Sequence, residues 1–190
     1  RQQQIRAEKN MKLFLIGYSG CGKSTLGRRL ARRMDVEFID MDRYIESEAG
    51  ATIPEIFASR GEAEFRRLER QAITDLGKRT DDCIIATGGG APCREGNIEA
   101  INQAGTSIYL KMPHRILVAR LCRNKSKRPL IAGKTDREVE DFVASSLAER
   151  EPFYSQASIT IDCDGRSDDY IVEHIVRHLE NMNENNTNTK

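Results

Sequence analysis

Tryptophan is absent from this chain, and aromatic residues of all kinds make up only 6% of its 190 residues. Little is left from which to build a surface where nucleobases stack. Long apolar runs are missing too, since nothing approaches the roughly 18 consecutive apolar residues of a membrane-spanning helix. No apolar stretch of the signal-peptide kind opens the chain, so the cytoplasm is the expected location. Neither charge sign is in surplus: 30 Lys and Arg against 29 Asp and Glu leave a net charge of +1. That balance argues against nucleic acid or an anionic membrane as a partner. The five cysteines (Cys21, Cys83, Cys93, Cys122, Cys163) form no C-x-x-C pair, and their odd number leaves one over from any disulfide set. Free thiols in a reducing compartment are expected. The length suits one domain, and a monomer is the simplest expectation.

What the chain does have is Gly17-Tyr18-Ser19-Gly20-Cys21-Gly22-Lys23-Ser24, a fit to the phosphate-loop pattern G-x-x-x-x-G-K-[ST]. Lys12 to Ile16 before it reads as a short buried strand. After it, Leu26, Leu30 and Met34 recur four apart, as on one face of a helix. In that setting the glycines let backbone N–H groups close around phosphate oxygens, and the new helix turns its positive end toward them. Lys23 would reach the terminal phosphates, and the Ser24 hydroxyl would hold the accompanying magnesium. Cys21 lies where a helix N-terminus lowers thiol pKa, but a small side chain filling a variable loop position is the favoured reading.

Strands and helices alternate along the rest of the chain. Strands are expected at 12–16, 36–39, 83–87, 107–110 and 158–161. Helices are expected at 23–34, 42–49, 53–60, 62–78, 95–104, from just after Pro113 to Arg123, at 136–150 and at 168–181. Such alternation implies an α/β fold, a five-stranded, mostly parallel sheet with helices on both faces. Ligands then bind beyond the carboxyl ends of the strands, where Gly17, Asp40, Asp42 and the Gly88 run all fall. One domain is expected over 11–181. Residues 1–10 are expected to be a leader or added segment before Met11, and 182–190 a disordered tail.

Several residues could carry chemistry. Asp40 and Asp42 end the second strand. One could face the metal and the other orient an attacking hydroxyl and take its proton, or Asp42 could simply cap the helix that follows. Arg66 stands four residues after Glu62 and three before Glu69. Acids at those spacings can fix a guanidinium as a bidentate carboxylate receptor, although an exposed, ion-paired helix face is the commoner outcome. Gly88-Gly89-Gly90 directly after a strand let backbone come close to a ligand, and the Thr87 hydroxyl could stand near the metal's waters. The segment from Arg123 to Arg137 holds Lys125, Lys127, Arg128, Lys134 and Arg137 among Pro129 and Gly133, so it could be a lid over the nucleotide or a solvated basic loop. His174 and His178, four apart on the last helix, have no third ligand in view and read as a solvated face.

These pieces together resemble the shikimate kinase family, from about Met11 to the last helix. The ordered set is Phe38-Ile39-Asp40-Met41-Asp42, Gly61-Glu62-Ala63-Glu64-Phe65-Arg66, Gly88-Gly89-Gly90, Arg128-Pro129-Leu130 and Arg150-Glu151-Pro152-Phe153-Tyr154. The resemblance implies a P-loop fold like that of the nucleoside monophosphate kinases. It also implies magnesium-dependent transfer of a phosphoryl group from ATP to the 3-hydroxyl of shikimate, in aromatic amino acid biosynthesis. Carried over by position, Lys23, Asp42 and Arg128 are catalytic, with Asp42 the base and Arg128 in a lid at about 123–136. Ser24 and Asp40 serve the metal. Asp42, Arg66, Gly88, Gly89, Gly90 and Arg150 hold shikimate, with Glu69 steadying Arg66. Gly20, Cys21, Gly22, Lys23, Ser24, Thr25 and Arg128 bind the nucleotide, and Arg120 and Arg166 stand beside its base. Cys21 departs from the Ser or Ala more usual in the family. A gluconate or nucleoside monophosphate kinase, or an ATP-binding switch without an acceptor, are the rival readings. The separated arginines and the glycine run suit a compact carboxylate better than either.

Overall fold

The computed structural model describes residues 10–127 and 130–187. Its centre is β1 (Lys12–Ile16), buried from Leu13 onward, flanked by β3 (Cys83–Ala86), buried at every position. Continuous apolar runs of this kind belong to strands covered on both faces, which is the condition of a parallel sheet. β2 (Glu37–Asp40), β4 (Thr106–Lys111) and β5 (Ile159–Asp162) complete it in the order β2-β3-β1-β4-β5, with every pairing parallel. At the edge, β5 reverts to alternation, with Ile159 and Ile161 buried and Thr160 and Asp162 exposed. The chain leaves β1 in one direction to make β2 and β3, then crosses back to add β4 and β5. Ligand crevices form at the carboxyl ends of strands at such a reversal.

The helices are α1 (Lys23–Met34), α2 (Met41–Ala49), α3 (Ile53–Gly77), α4 (Asn97–Ala104), α5 (His114–Arg123), α6 (Asp136–Tyr154) and α7 (Asp168–Thr187). In α1, Leu26 and Leu30 are buried and Met34 packs against the core, as their spacing requires. α3 is two helices joined at Gly61, whose φ of 82° and ψ of 171° are non-helical, so the expected break between 60 and 62 is real. Only glycine adopts that backbone without strain. A capping box starts α3: Glu55 N–H donates to Thr52 Oγ1 at 3.4 Å, and Thr52 N–H donates to Glu55 Oε2 at 2.7 Å. No helix among the described residues is long and apolar enough to cross a membrane.

Two helix ends differ from expectation. α6 runs past 150 and through Pro152 to Tyr154. Proline disfavours helix in the residue before it. Here the burial of Tyr154 overrides that preference, because its ring is fully enclosed and stacks on Tyr109 at 5.1 Å. α7 continues to Thr187, beyond the expected end at 181 and into the segment expected to be disordered. Its first half is anchored by Ile171, Val172, Ile175 and Val176, which are buried in the core, and at the surface Arg29 donates to Asp169 at 2.8 Å and Arg33 to Glu173 at 2.7 Å. Residues 1–9 and 188–190 lie outside the described residues.

Candidate active site

The phosphate loop begins where β1 ends. Gly17, Gly20 and Gly22 take φ of 143°, 87° and 104°, conformations that bend the loop back on itself. Gly22 is the residue before α1, and no side chain caps that helix, so the amides of its first turn face the loop unfilled. Lys23 is buried, and its ammonium donates to the carbonyls of Gly17 at 2.7 Å and Tyr18 at 3.1 Å. Thr25 stands exposed on that first turn. Cys21 is wholly enclosed, its sulfur 3.9 Å from the Lys23 nitrogen, and occupies the space beside Gly17. On the outer flank Arg120 donates to the Gly20 carbonyl at 3.1 Å. Arg166 is exposed and rests on the ring of Tyr170, 4.8 Å from its centroid.

Beside the loop, Ser24 Oγ donates to Asp40 Oδ2 at 3.2 Å, so a hydroxyl and a carboxylate converge at the start of α1. The other oxygen of Asp40 accepts from the amides of Asp42 and Arg43, which makes Asp40 the cap of α2. Capping by Asp42 was the alternative to a role in the site. With Asp40 closing the helix end, Asp42 is inside the first turn and its carboxylate is free to face the crevice.

Asp42 sits against the glycine run. A Cβ on Gly88 would come within 2.9 Å of Asp42 Oδ1 and 3.5 Å of Glu69 Oε1. A Cβ on Gly89 would meet the Ser19 amide nitrogen at 3.1 Å. The first glycine therefore makes room for the acid and the second for the phosphate loop. Gly90 has no neighbour within 4 Å of such a Cβ. Burial raises the Asp42 carboxyl to about 6, with the charges of Asp40 and Glu69 adding to the shift and Lys23 opposing it. Thr87 is placed differently from expectation: its hydroxyl is buried and donates to the Leu15 carbonyl at 3.2 Å, so it bridges β3 to β1.

Arg66 is held from two sides. Its guanidinium donates to Glu69 Oε2 at 2.7 Å, and to Glu62 Oε1 at 3.2 Å and 3.0 Å. Burial works against the Arg66 charge, but the bonds to Glu69 and Glu62 outweigh it and hold the proton more firmly than usual. Glu69 is itself buried, which pushes its carboxyl up against the pull of Arg66. Arg150, on α6, lies with its guanidinium carbon 5.2 Å from the centroid of the Tyr18 ring. One turn on, the Tyr154 hydroxyl donates to the Gly89 carbonyl at 2.6 Å. Sequence reasoning assigned no task to Tyr18 or Tyr154. The four-residue spacing of Arg150 and Tyr154 was a usable sign that they share a helix face, whereas nothing local marked Tyr18.

Of the candidate lid, Arg128 and Pro129 lie outside the described residues. Within the rest, residues 125–127 form a single 3-10 turn, and Lys125 donates to the Lys134 carbonyl at 2.8 Å and to Asp136 at 2.6 Å. His174 stacks on Tyr170 with 5.8 Å between centroids. A cavity of about 560 Å³ opens elsewhere, between the end of β4 and α6, and includes none of the candidate residues.

A phosphate loop set against a desolvated carboxylate has an acceptor side as well as a donor side, and that is the organisation of a P-loop kinase for small molecules. The likeness to a gluconokinase from Sinorhizobium meliloti, 14% identical with a TM-score of 0.60 over 97% of this chain and 99% of that one, shows this fold and no more. Residues 19–180 match the family described as shikimate kinase. A shikimate kinase of Bacteroides fragilis is 41% identical over 90% of this chain and 96% of its own length. The crystal structure of shikimate kinase from Bacteroides thetaiotaomicron is 40% identical, with a TM-score of 0.81 over 92% of this chain and 98% of that one. Shikimate kinase from Acinetobacter baumannii in complex with shikimate is 34% identical at the same TM-score of 0.81, over 92% of this chain and 95% of that one. The chain belongs to the shikimate kinase family, ATP-dependent enzymes that phosphorylate shikimate in aromatic amino acid biosynthesis.

Proposed function

We propose that this chain transfers the γ-phosphoryl group of ATP to the 3-hydroxyl of shikimate, and that it does so with the residues described above. The observation that carries this reading is the position of Asp42, whose Oδ1 lies against Gly88 between the phosphate loop and the Arg66–Glu69 pair. Arg66 and Arg150 clamp the shikimate carboxylate, a task that suits planar forks of donors. Asp42 accepts the proton of the 3-hydroxyl as its oxygen bonds to phosphorus. The bond from phosphorus to the bridging oxygen breaks, and ADP leaves with the electron pair. Lys23, Arg128 and the loop amides meet the charge on the phosphates. The transition state is loose, so placement and charge matter more than the strength of the base.

Ser24 and Asp40 converge at 3.2 Å and offer hard oxygen donors of the kind Mg²⁺ takes. Bound there, Mg²⁺ supplies positive charge to the phosphate oxygens. Gly20, Cys21, Gly22 and Thr25 line the phosphates, Arg120 and Arg166 stand beside the adenine, and Gly89 and Gly90 face the acceptor. A cytoplasmic monomer with no nucleic-acid partner completes the reading, in keeping with the free cysteines and balanced charge.

The test is ADP release from magnesium-ATP with shikimate, gluconate or no acceptor, for the wild type and Asp42→Asn. Turnover that needs shikimate and collapses in Asp42→Asn is the expected result. Hydrolysis indifferent to every acceptor would overturn the assignment.

A further inference from the structure

Arg66 and Arg150 are held in different ways. Arg66 has carboxylates on two sides. Arg150 makes no ion pair among the described residues. Its guanidinium instead faces the Tyr18 ring, 5.2 Å from the centroid, and lies beside the Tyr154 hydroxyl. An acid in contact with Arg150 would compete with a substrate carboxylate for the same donors. An aromatic face attracts the cation through its quadrupole without taking any of them.

Tyr18 is itself buried and fixed at two points. It is 3% exposed, and its backbone carbonyl accepts from Lys23 Nζ at 3.1 Å. Its hydroxyl lies 2.5 Å from Ser146 Oγ. Ser146 donates its only hydroxyl proton to the Phe142 carbonyl at 2.7 Å, so Tyr18 is the donor to Ser146. Ser146 and Arg150 are one turn apart on α6, on the same face. A single side chain from the phosphate loop thus grips α6 at one turn and supports the arginine at the next.

We propose that Tyr18 is a positioning residue for the acceptor, one that orients Arg150 toward the shikimate carboxylate from within the phosphate loop. This rests on the reading of Arg150 as part of the carboxylate clamp. The effect of Tyr18 is on the acceptor, although its backbone belongs to the nucleotide loop.

The experiment measures KM for shikimate, KM for ATP and kcat in Tyr18→Leu, Tyr18→Phe, Ser146→Ala, Arg150→Ala and the double variant Tyr18→Leu with Arg150→Ala. Loss of the ring is expected to raise the KM for shikimate about fivefold or more, with a much smaller change in the KM for ATP. In the Arg150→Ala background the same substitution should add almost nothing, because the residue it acts through is gone. Tyr18→Phe keeps the ring and should restore most of the affinity. Tyr18→Phe and Ser146→Ala each remove one end of the same hydrogen bond, so together they should cost no more than either alone. If Tyr18→Leu does not fold, Tyr18→Met takes its place in both the wild-type and Arg150→Ala backgrounds.

A Tyr18→Leu enzyme with wild-type KM for shikimate, equal rises in both KM values, or additive effects in the double variant would overturn the proposal. If Arg150→Ala has no effect on the KM for shikimate, the clamp itself falls and the proposal with it. An effect of Arg150→Ala beside a silent Tyr18→Leu removes Tyr18 alone.

Discussion

The property that suits Asp42 to the proposed catalysis also makes it costly to the fold. Burial and the neighbouring acids Asp40, Glu69 and Glu46 lift its carboxyl from 3.8 to about 6, against the pull of Lys23. Between about pH 4 and pH 6 the native state therefore binds more protons there than the unfolded chain does. Stability falls as pH rises through that window, and the full penalty remains above it. Asp42→Asn removes a buried charge, so it is expected to lower kcat by orders of magnitude while raising the melting temperature at pH 8. The gain should vanish near pH 4, as thermal unfolding at the two pH values will show. Because the proposed base acts only when ionised, kcat/KM for shikimate should fall below about pH 6 with the slope of one proton. The limb should be missing from whatever activity Asp42→Asn retains. If it persists there, another group sets it. The glycines beside Asp42 divide in the same way. Gly88→Ala would thrust a methyl group against the carboxylate and should cost activity. Gly90→Ala has open space and a φ of −91°, so it should fold normally and reveal itself only in the KM for shikimate.

Among the elements, α3 aims Arg66 in the proposed site. Its two halves meet at Gly61, where φ of 82° and ψ of 171° admit no side chain comfortably although there is room for one. Gly61→Ala is expected to cost roughly 1–3 kcal/mol through backbone strain alone. For a chain of this size that is a fall of several degrees in melting temperature. Its KM for shikimate should rise as well, since the second half of the helix carries Arg66, Glu69 and Phe65 together. Arg66→Lys separates orientation from charge. One ammonium cannot reproduce the fork held by Glu62 and Glu69, so the KM for shikimate should rise far more than kcat falls. A wild-type KM in that variant would remove Arg66 from the site.

For the whole molecule, the residues proposed to hold ATP and shikimate lie on segments from the phosphate loop to α6 that converge beside the carboxyl edge of one sheet. Any ligand that bridges them should stabilise the fold by mass action. Shikimate at a hundred times its dissociation constant is expected to add about 2.7 kcal/mol, read as a rise in melting temperature. Arg150→Ala should shift that curve to higher shikimate without moving the melting temperature of the free protein by much, since Arg150 has no ion pair to lose among the described residues. The ion pairs of α7 on α1 are exposed and should matter little, because such pairs are screened by water.

The sequence by itself determined the local chemistry. The phosphate loop, the helix and strand periods, the break at Gly61 and the acid–arginine spacing around Arg66 each depend on residues within a turn or two of one another, and short-range rules are enough to read them. Arg150 could be reached only through resemblance, since its own neighbourhood looks like any charged helix. Tertiary structure decided the rest. It gave the cap of α2 to Asp40 rather than Asp42, turned the Thr87 hydroxyl onto Leu15, carried α6 through Pro152 and put Tyr18 beside Ser146, 128 residues away. It also desolvated Asp42. Burial and contacts between distant segments are properties of the packed sheet and its helices, and neither a motif nor a period encodes which far-off side chain will fill a given space.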